Sequence, residues 1–222
     1  MTSHPAPRVA ATRLLHGALL PVAITVGIAL AAGAVTPFAQ QYLPDWLSSL
    51  ANSSGSWTMI GLLAVYVSRA RGVLAAVLGI VALVLLNEAY SAVSTARGVY
   101  YAGGLASEWT FVAIVAGPIV GLAASWLRWS RAKPLLVAMA VAAPAAVLIG
   151  EGVYGLTAIA DTTSPVYWWL QIAAGVAFVT IVCVRMLRRR EYISLAVALT
   201  LTGAALFLAF YTWWLPALFD AL

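Results

Sequence analysis

Apolar residues run in seven blocks separated by short polar stretches: roughly Leu14 to Val35, Trp46 to Ser68, Gly72 to Val93, Trp109 to Leu127, Pro134 to Val153, Val166 to Leu187 and Tyr192 to Leu215. Each is long enough, or nearly so, to cross a bilayer core of about 30 Å as a helix rising about 1.5 Å per residue. The pattern predicts an all-α fold, a polytopic transmembrane helix bundle of about seven spans forming one integral membrane domain over residues 1–222. Within it, 1–13 is a tail, 14–215 the bundle and 216–222 a second tail. The first block follows Arg8 and Arg13 and ends in small residues near Ala34, as a secretory signal would. Its run exceeds the apolar stretch of about 7 to 15 residues in a cleaved signal, so a retained anchor is expected.

The second block is irregular. Its wholly apolar part, Trp57 to Val67, is too short to cross, and the preceding stretch from Trp46 to Ser56 is polar. Either that stretch is an interfacial loop leading to a short helix anchored by Trp46 and Trp57, or it dips into the membrane as a broken helix. In the second case Asn52, Ser53 and Ser54 contribute to a site, since irregular backbone at membrane depth is tolerated where protein or water satisfies it.

Composition agrees with the pattern: 64% hydrophobic and 9% charged residues leave too little polar surface to cover a soluble globule. The net charge of +5 is confined to block ends. Arg8 and Arg13, Arg69 and Arg71, Arg128 to Lys133, and Arg185 to Arg190 fall at alternate ends, and only Arg97 at the other. Basic loops stay in the cytoplasm, which predicts a cytoplasmic amino terminus and an extracytoplasmic carboxyl terminus. The positive charges serve orientation and contact with membrane lipid, and no nucleic-acid partner is expected.

The opposite end is acidic and aromatic. Trp46, Trp57, Trp109, Trp168, Trp169, Trp213 and Trp214 lie there, against Trp126 and Trp129 at the basic end, and Tyr42, Tyr90, Tyr100, Tyr101, Tyr154, Tyr167 and Tyr211 share the bias. A weak internal repeat runs through it: Ser56-Trp57-Thr58 and Glu108-Trp109-Thr110 open blocks, and Asn87-Glu88-Ala89-Tyr90 and Gly150-Glu151 to Tyr154 close them. This suggests parallel helical hairpins, each turning at a basic loop. Glu88 lies 16 residues beyond Gly72 and Glu151 lies 17 beyond Pro134, placing both about 24 to 26 Å from the basic end at helical rise. A carboxylate at that depth needs protein, water or a partner. One reading is a pair of helix-end acids with Arg97 as counter-ion; the other is a cation-attracting or proton-binding site, to which Asp161 and Glu108 could add. Rings beside carboxylates suit a cationic or flat heteroaromatic ligand, or else form a thick interfacial anchor.

Several chemistries are excluded or disfavoured. The only lysine, Lys133, is in a basic loop, so no Schiff-base lysine is buried. The two histidines, His4 and His16, form no HExxH pattern, and no GxxxxGK or GxSxG motif occurs. Cys183 is the only cysteine, which excludes an internal disulfide. Gly117-Pro-Ile-Val-Gly121 matches GxxxG and reads as a close-packing motif. No cofactor, metal or catalytic residue is expected, and an intramembrane enzyme using the two carboxylates ranks last among the functional readings.

The stretches Leu50 to Trp57, Gly150 to Thr157 and Asp161 to Trp169 resemble those of an uncharacterised multi-pass family of actinobacterial membrane proteins. That resemblance covers most of the chain from the first block to the sixth and implies a bacterial plasma-membrane location with no known activity. More loosely, the small apolar bundle is similar to the substrate-binding subunits of energy-coupling-factor vitamin transporters, with Ala23, Gly27 and Ala31 resembling the face such subunits offer a membrane partner. The seventh block departs from the six spans typical there. The leading expectation is a plasma-membrane protein that binds or transports a small molecule. Its site, open to the outside, is built from Asn52, Trp57, Glu88, Tyr90, Trp109, Glu151, Tyr154 and Asp161. The alternative is a non-catalytic scaffold or assembly subunit whose outer aromatics meet a partner subunit.

Overall fold

In the computed structural model the described residues are 7–99, 105, 107–215 and 217, with the side chains of 7–16 left aside. Residues 1–6, Tyr100, Tyr101 and most of the 216–222 tail lie outside them. The regular elements are all helical: α1 (Pro7–Tyr42), a 3-10 segment (Asp45–Asn52), α2 (Ser54–Ser68), α3 (Gly72–Ala96), α4 (Glu108–Trp129), α5 (Pro134–Ala158), α6 (Pro165–Met186) and α7 (Arg190–Ala209), closed by a π turn (Phe210–Trp214). Six of the seven α-helices are long and apolar enough to cross a membrane; α2, with 15 residues, is the exception. The expected second span is thus split at Ser53, where extended backbone separates the 3-10 segment from α2.

Local chemistry sets the boundaries. Pro134 and Pro165 open α5 and α6 at the first helical position, where a missing N–H costs nothing. Ser107 caps α4 by accepting from the Thr110 N–H, with Glu108 in the favourable first turn. Arg69, at φ 64°, ends α2 in the left-handed conformation, and Gly72, at φ 52°, lets α3 begin at once.

Packing of the bundle centres on α5, the most buried helix, which lies against α6, α7, α4 and α2. On the other side α3 packs on α4 and α1. At the α3–α4 contact the backbones meet directly: a Cβ on Gly79 or Gly117 would enter the other helix's backbone, and one on Gly121 would strike the Ala75 carbonyl. Small residues at such positions allow close approach and dispersion contact, the main source of helix association in lipid. The close pairs are α3–α4, α5–α7, α5–α6 and α1–α3, whereas α6 and α7, expected to pair as a hairpin, touch only lightly.

Contacts fix which helix ends lie together. At the basic end the Arg128 Nη1 donates to the Tyr66 carbonyl at 3.2 Å, and the Arg71 guanidinium lies 3.7 Å over the Trp129 ring. At the other end Tyr90 of α3 donates to Gln40 of α1 at 3.2 Å. Arg97 donates to Gln41 and lies 4.3 Å over the Phe38 ring. Arg97 therefore serves the α1–α3 junction, and the expectation that it neutralises Glu88 is not met; among the described residues the one ion pair is Arg189–Glu191. Because α2 spans only about 22 Å at helical rise, its amino terminus stops short of the acidic end, inside the bundle.

Candidate functional site

The break at Ser53 creates the site. Ser53 is 1% exposed, and its hydroxyl caps α2 by accepting from the Gly55 and Ser56 N–H groups at 3.1 and 3.3 Å. Capping leaves the first N–H groups of α2 pointing outward from the helix start, where the macrodipole is positive. Glu151, from α5, occupies that position. Its Oε1 accepts from the Ser54 N–H at 2.7 Å; its Oε2 accepts from the Gly55 N–H at 2.7 Å, the Ser53 hydroxyl at 2.6 Å and Gln171 Nε2 at 2.8 Å. Four donors converge on a side chain that is 5% exposed. A buried carboxylate without a cationic partner is tolerated when hydrogen bonds and a helix terminus replace its water.

Gln171, on α6, holds the far side. Its Nε2 also donates to the Leu148 carbonyl at 3.3 Å, and its Oε1 accepts from the Tyr167 hydroxyl one turn earlier and lies 2.7 Å from the Ser53 hydroxyl. Gly55 leaves room for these side chains at the junction: a Cβ there would lie 2.9 Å from Gln171 Nε2 and 2.9 Å from Leu148 Cδ2. The Ser54 hydroxyl pairs with the Tyr211 hydroxyl from the π turn after α7. Tyr211 in turn stacks on Phe207, with ring centroids 4.4 Å apart, and meets Tyr154 edge-on at 5.3 Å. One cluster thus ties α2, α5, α6 and the end of α7.

A cavity of about 280 Å³ opens against this cluster. Five of the expected site residues line it: Asn52, Trp57, Trp109, Glu151 and Tyr154. Ser53, Ser54, Ile159, Trp168 and Tyr211 complete the wall, and no lysine or arginine is among its lining residues. Glu88, Tyr90 and Asp161 do not line it. Tyr90 stands behind, meeting the Trp57 ring edge-on at 5.7 Å. Asp161 is exposed in the turn after α5. Glu88 is half-buried on α3, and its buried Oε1 has no hydrogen-bond partner among the described residues. Similar height along the helices does not put both glutamates on this cavity: Glu88 is on α3, which packs most closely on α4 and α1, while Glu151 meets α2 and α6.

Gln171 is absent from the expected site residues. The signal was present: an amide inside the apolar block from Val166 to Leu187, one turn from Tyr167, needs a polar partner in a dry interior.

Residues 12–216 match the model of a family of unknown function, DUF6518. No curated protein and no solved structure matches the chain.

Proposed function

The chain belongs to this family of unknown function, DUF6518, and from the geometry around Glu151 we propose that it binds or transports a small cationic or heteroaromatic molecule across the plasma membrane. The observation that carries the reading is the unequal use of the carboxylate. Oε2 takes three donors and Oε1 one, so Oε1 keeps acceptor capacity, and Glu151 is among the residues that line the cavity. A negative group facing a chamber lined by Trp57, Trp109, Tyr154, Trp168 and Tyr211, with no basic residue, complements a flat cation through a charge-assisted hydrogen bond and ring contacts. The volume of about 280 Å³ lies just below the range of about 300–1,000 Å³ common for ligand sites, so the ligand it suits is a single ring system.

In this reading the basic end is cytoplasmic, the amino terminus starts there, and the 3-10 segment with α2 forms the second of seven passes. The broken pass with its half-helix terminus at the site is an arrangement found in transporters. Glu88 stays outside the site. The test is binding of cationic heteroaromatics, thiamine precursors among them, to detergent-purified protein. Trp57→Phe should weaken binding less than Trp57→Ala, since phenyl keeps a π face. Equal affinity of both variants and the parent, or no binding across the panel, would favour the scaffold reading instead.

A further inference from the structure

A separate feature lies on the lateral surface between α2 and α6. Near the basic end a groove of about 440 Å³ runs between α2, α4 and α6, apolar except for Tyr66 and Arg131. Its α2 wall extends from Met59 to Tyr66 and its α6 wall from Phe178 to Met186, about 11 to 12 Å at helical rise. That is close to one leaflet's share, about 15 Å, of a bilayer core about 30 Å thick. Met59 and Ile60 also line a second, mainly apolar cavity of about 550 Å³.

The mouth carries one available cation. Arg128 is engaged by the Tyr66 carbonyl and ring. Arg131 is exposed, and among the described residues the one ion pair is Arg189–Glu191, which also uses the one described acid at this end. The groove is open along one side and its walls are almost wholly apolar. A flexible hydrocarbon chain fits.

We propose that this groove is a binding site for an anionic phospholipid, with an acyl chain between Leu63, Phe178 and Val182 and the phosphate at Arg131. Apolar burial alone would accept any lipid; the guanidinium adds preference for net negative headgroups and bidentate contact with phosphate.

The test is native mass spectrometry of the full chain in mild detergent, titrated with palmitoyl-oleoyl phosphatidylglycerol or the matching phosphatidylcholine. The anionic lipid should bind about fivefold more tightly, the worth of one basic residue near a charged headgroup. Arg131→Gln should remove most of that preference, Arg131→Lys should retain part of it, and Arg188→Gln, outside the groove, should leave it intact. Leu63→Trp should weaken both lipids. Equal binding of the two lipids by the parent, or an unchanged preference in a monodisperse Arg131→Gln, would overturn the proposal. So would displacement of the bound lipid by soluble glycerol phosphate, which would mean a phosphate site without an acyl seat.

Discussion

Replacing Glu151 with glutamine keeps shape and removes charge, and the outcome depends on what the surrounding groups do. All four contacts of the carboxylate come from donors: two backbone N–H groups, the Ser53 hydroxyl and Gln171 Nε2. An amide offers one acceptor oxygen. Placed at the Oε2 position, that oxygen keeps three bonds, now neutral, and turns its NH₂ toward the Ser54 N–H. Hydrogen bonds to a charged group contribute about 1.5–3 kcal/mol against about 0.5–1.5 for neutral ones, and a stranded buried N–H costs about 1–3 kcal/mol. Relief from burying a charge offsets part of this loss. The net effect is a destabilisation of about 3 kcal/mol, which for a chain of this size lowers Tm by about 6–12 °C. Thermal unfolding of detergent-purified Glu151→Gln, followed by tryptophan fluorescence and checked by size exclusion, reads it directly. A shift under about 2 °C, equivalent to less than about 1 kcal/mol, would refute the assignment of Glu151 as the group that fastens the start of α2.

Gly117→Leu should separate α3 from α4, because the added side chain meets the backbone of Ile80 and Gly79; a loss of at least about 1–3 kcal/mol is expected in the same unfolding assay. Gly55→Ala should push the new methyl against Gln171 and Leu148 and lower stability by about 1–3 kcal/mol, whereas Gly27→Ala, with nothing within 4 Å of its Cβ position, should be neutral. Cysteines introduced at Ser130 and Thr162 should label from opposite faces of intact cells, Thr162 from outside; labelling of both from one face would reject the seven-pass orientation.

The helical bundle was legible in the sequence because the apolar blocks are long and their breaks carry Pro, Gly and basic residues that end helices. The block from Trp46 to Ser68 was legible as irregular. Its break at Ser53 and the amino-terminal site that follows came from the polar run Asn52-Ser-Ser-Gly-Ser56, which the sequence places but cannot aim. The site was half legible. Trp57, Trp109, Glu151 and Tyr154, from three helices, line one cavity near the end where their sequence positions place them. In the sequence Glu88 and Glu151 share a repeat position and a height; which face a residue occupies depends on packing partners, and uniformly apolar helices give little rotational signal. Gln171 is a single polar residue whose importance emerges only when α5 and α2 are brought against it.

If Glu151 presents a negative acceptor to the small aromatic chamber, the protein must prefer a cation over a neutral ligand of the same shape. Isothermal titration of the purified parent protein with a cationic heteroaromatic and its neutral isostere compares the two at constant shape. The cation should bind at least about tenfold more tightly, the effect of roughly 1.4 kcal/mol from a charge-assisted contact in place of a neutral one. Equal affinity for the two, or tighter binding of the neutral compound, would contradict it.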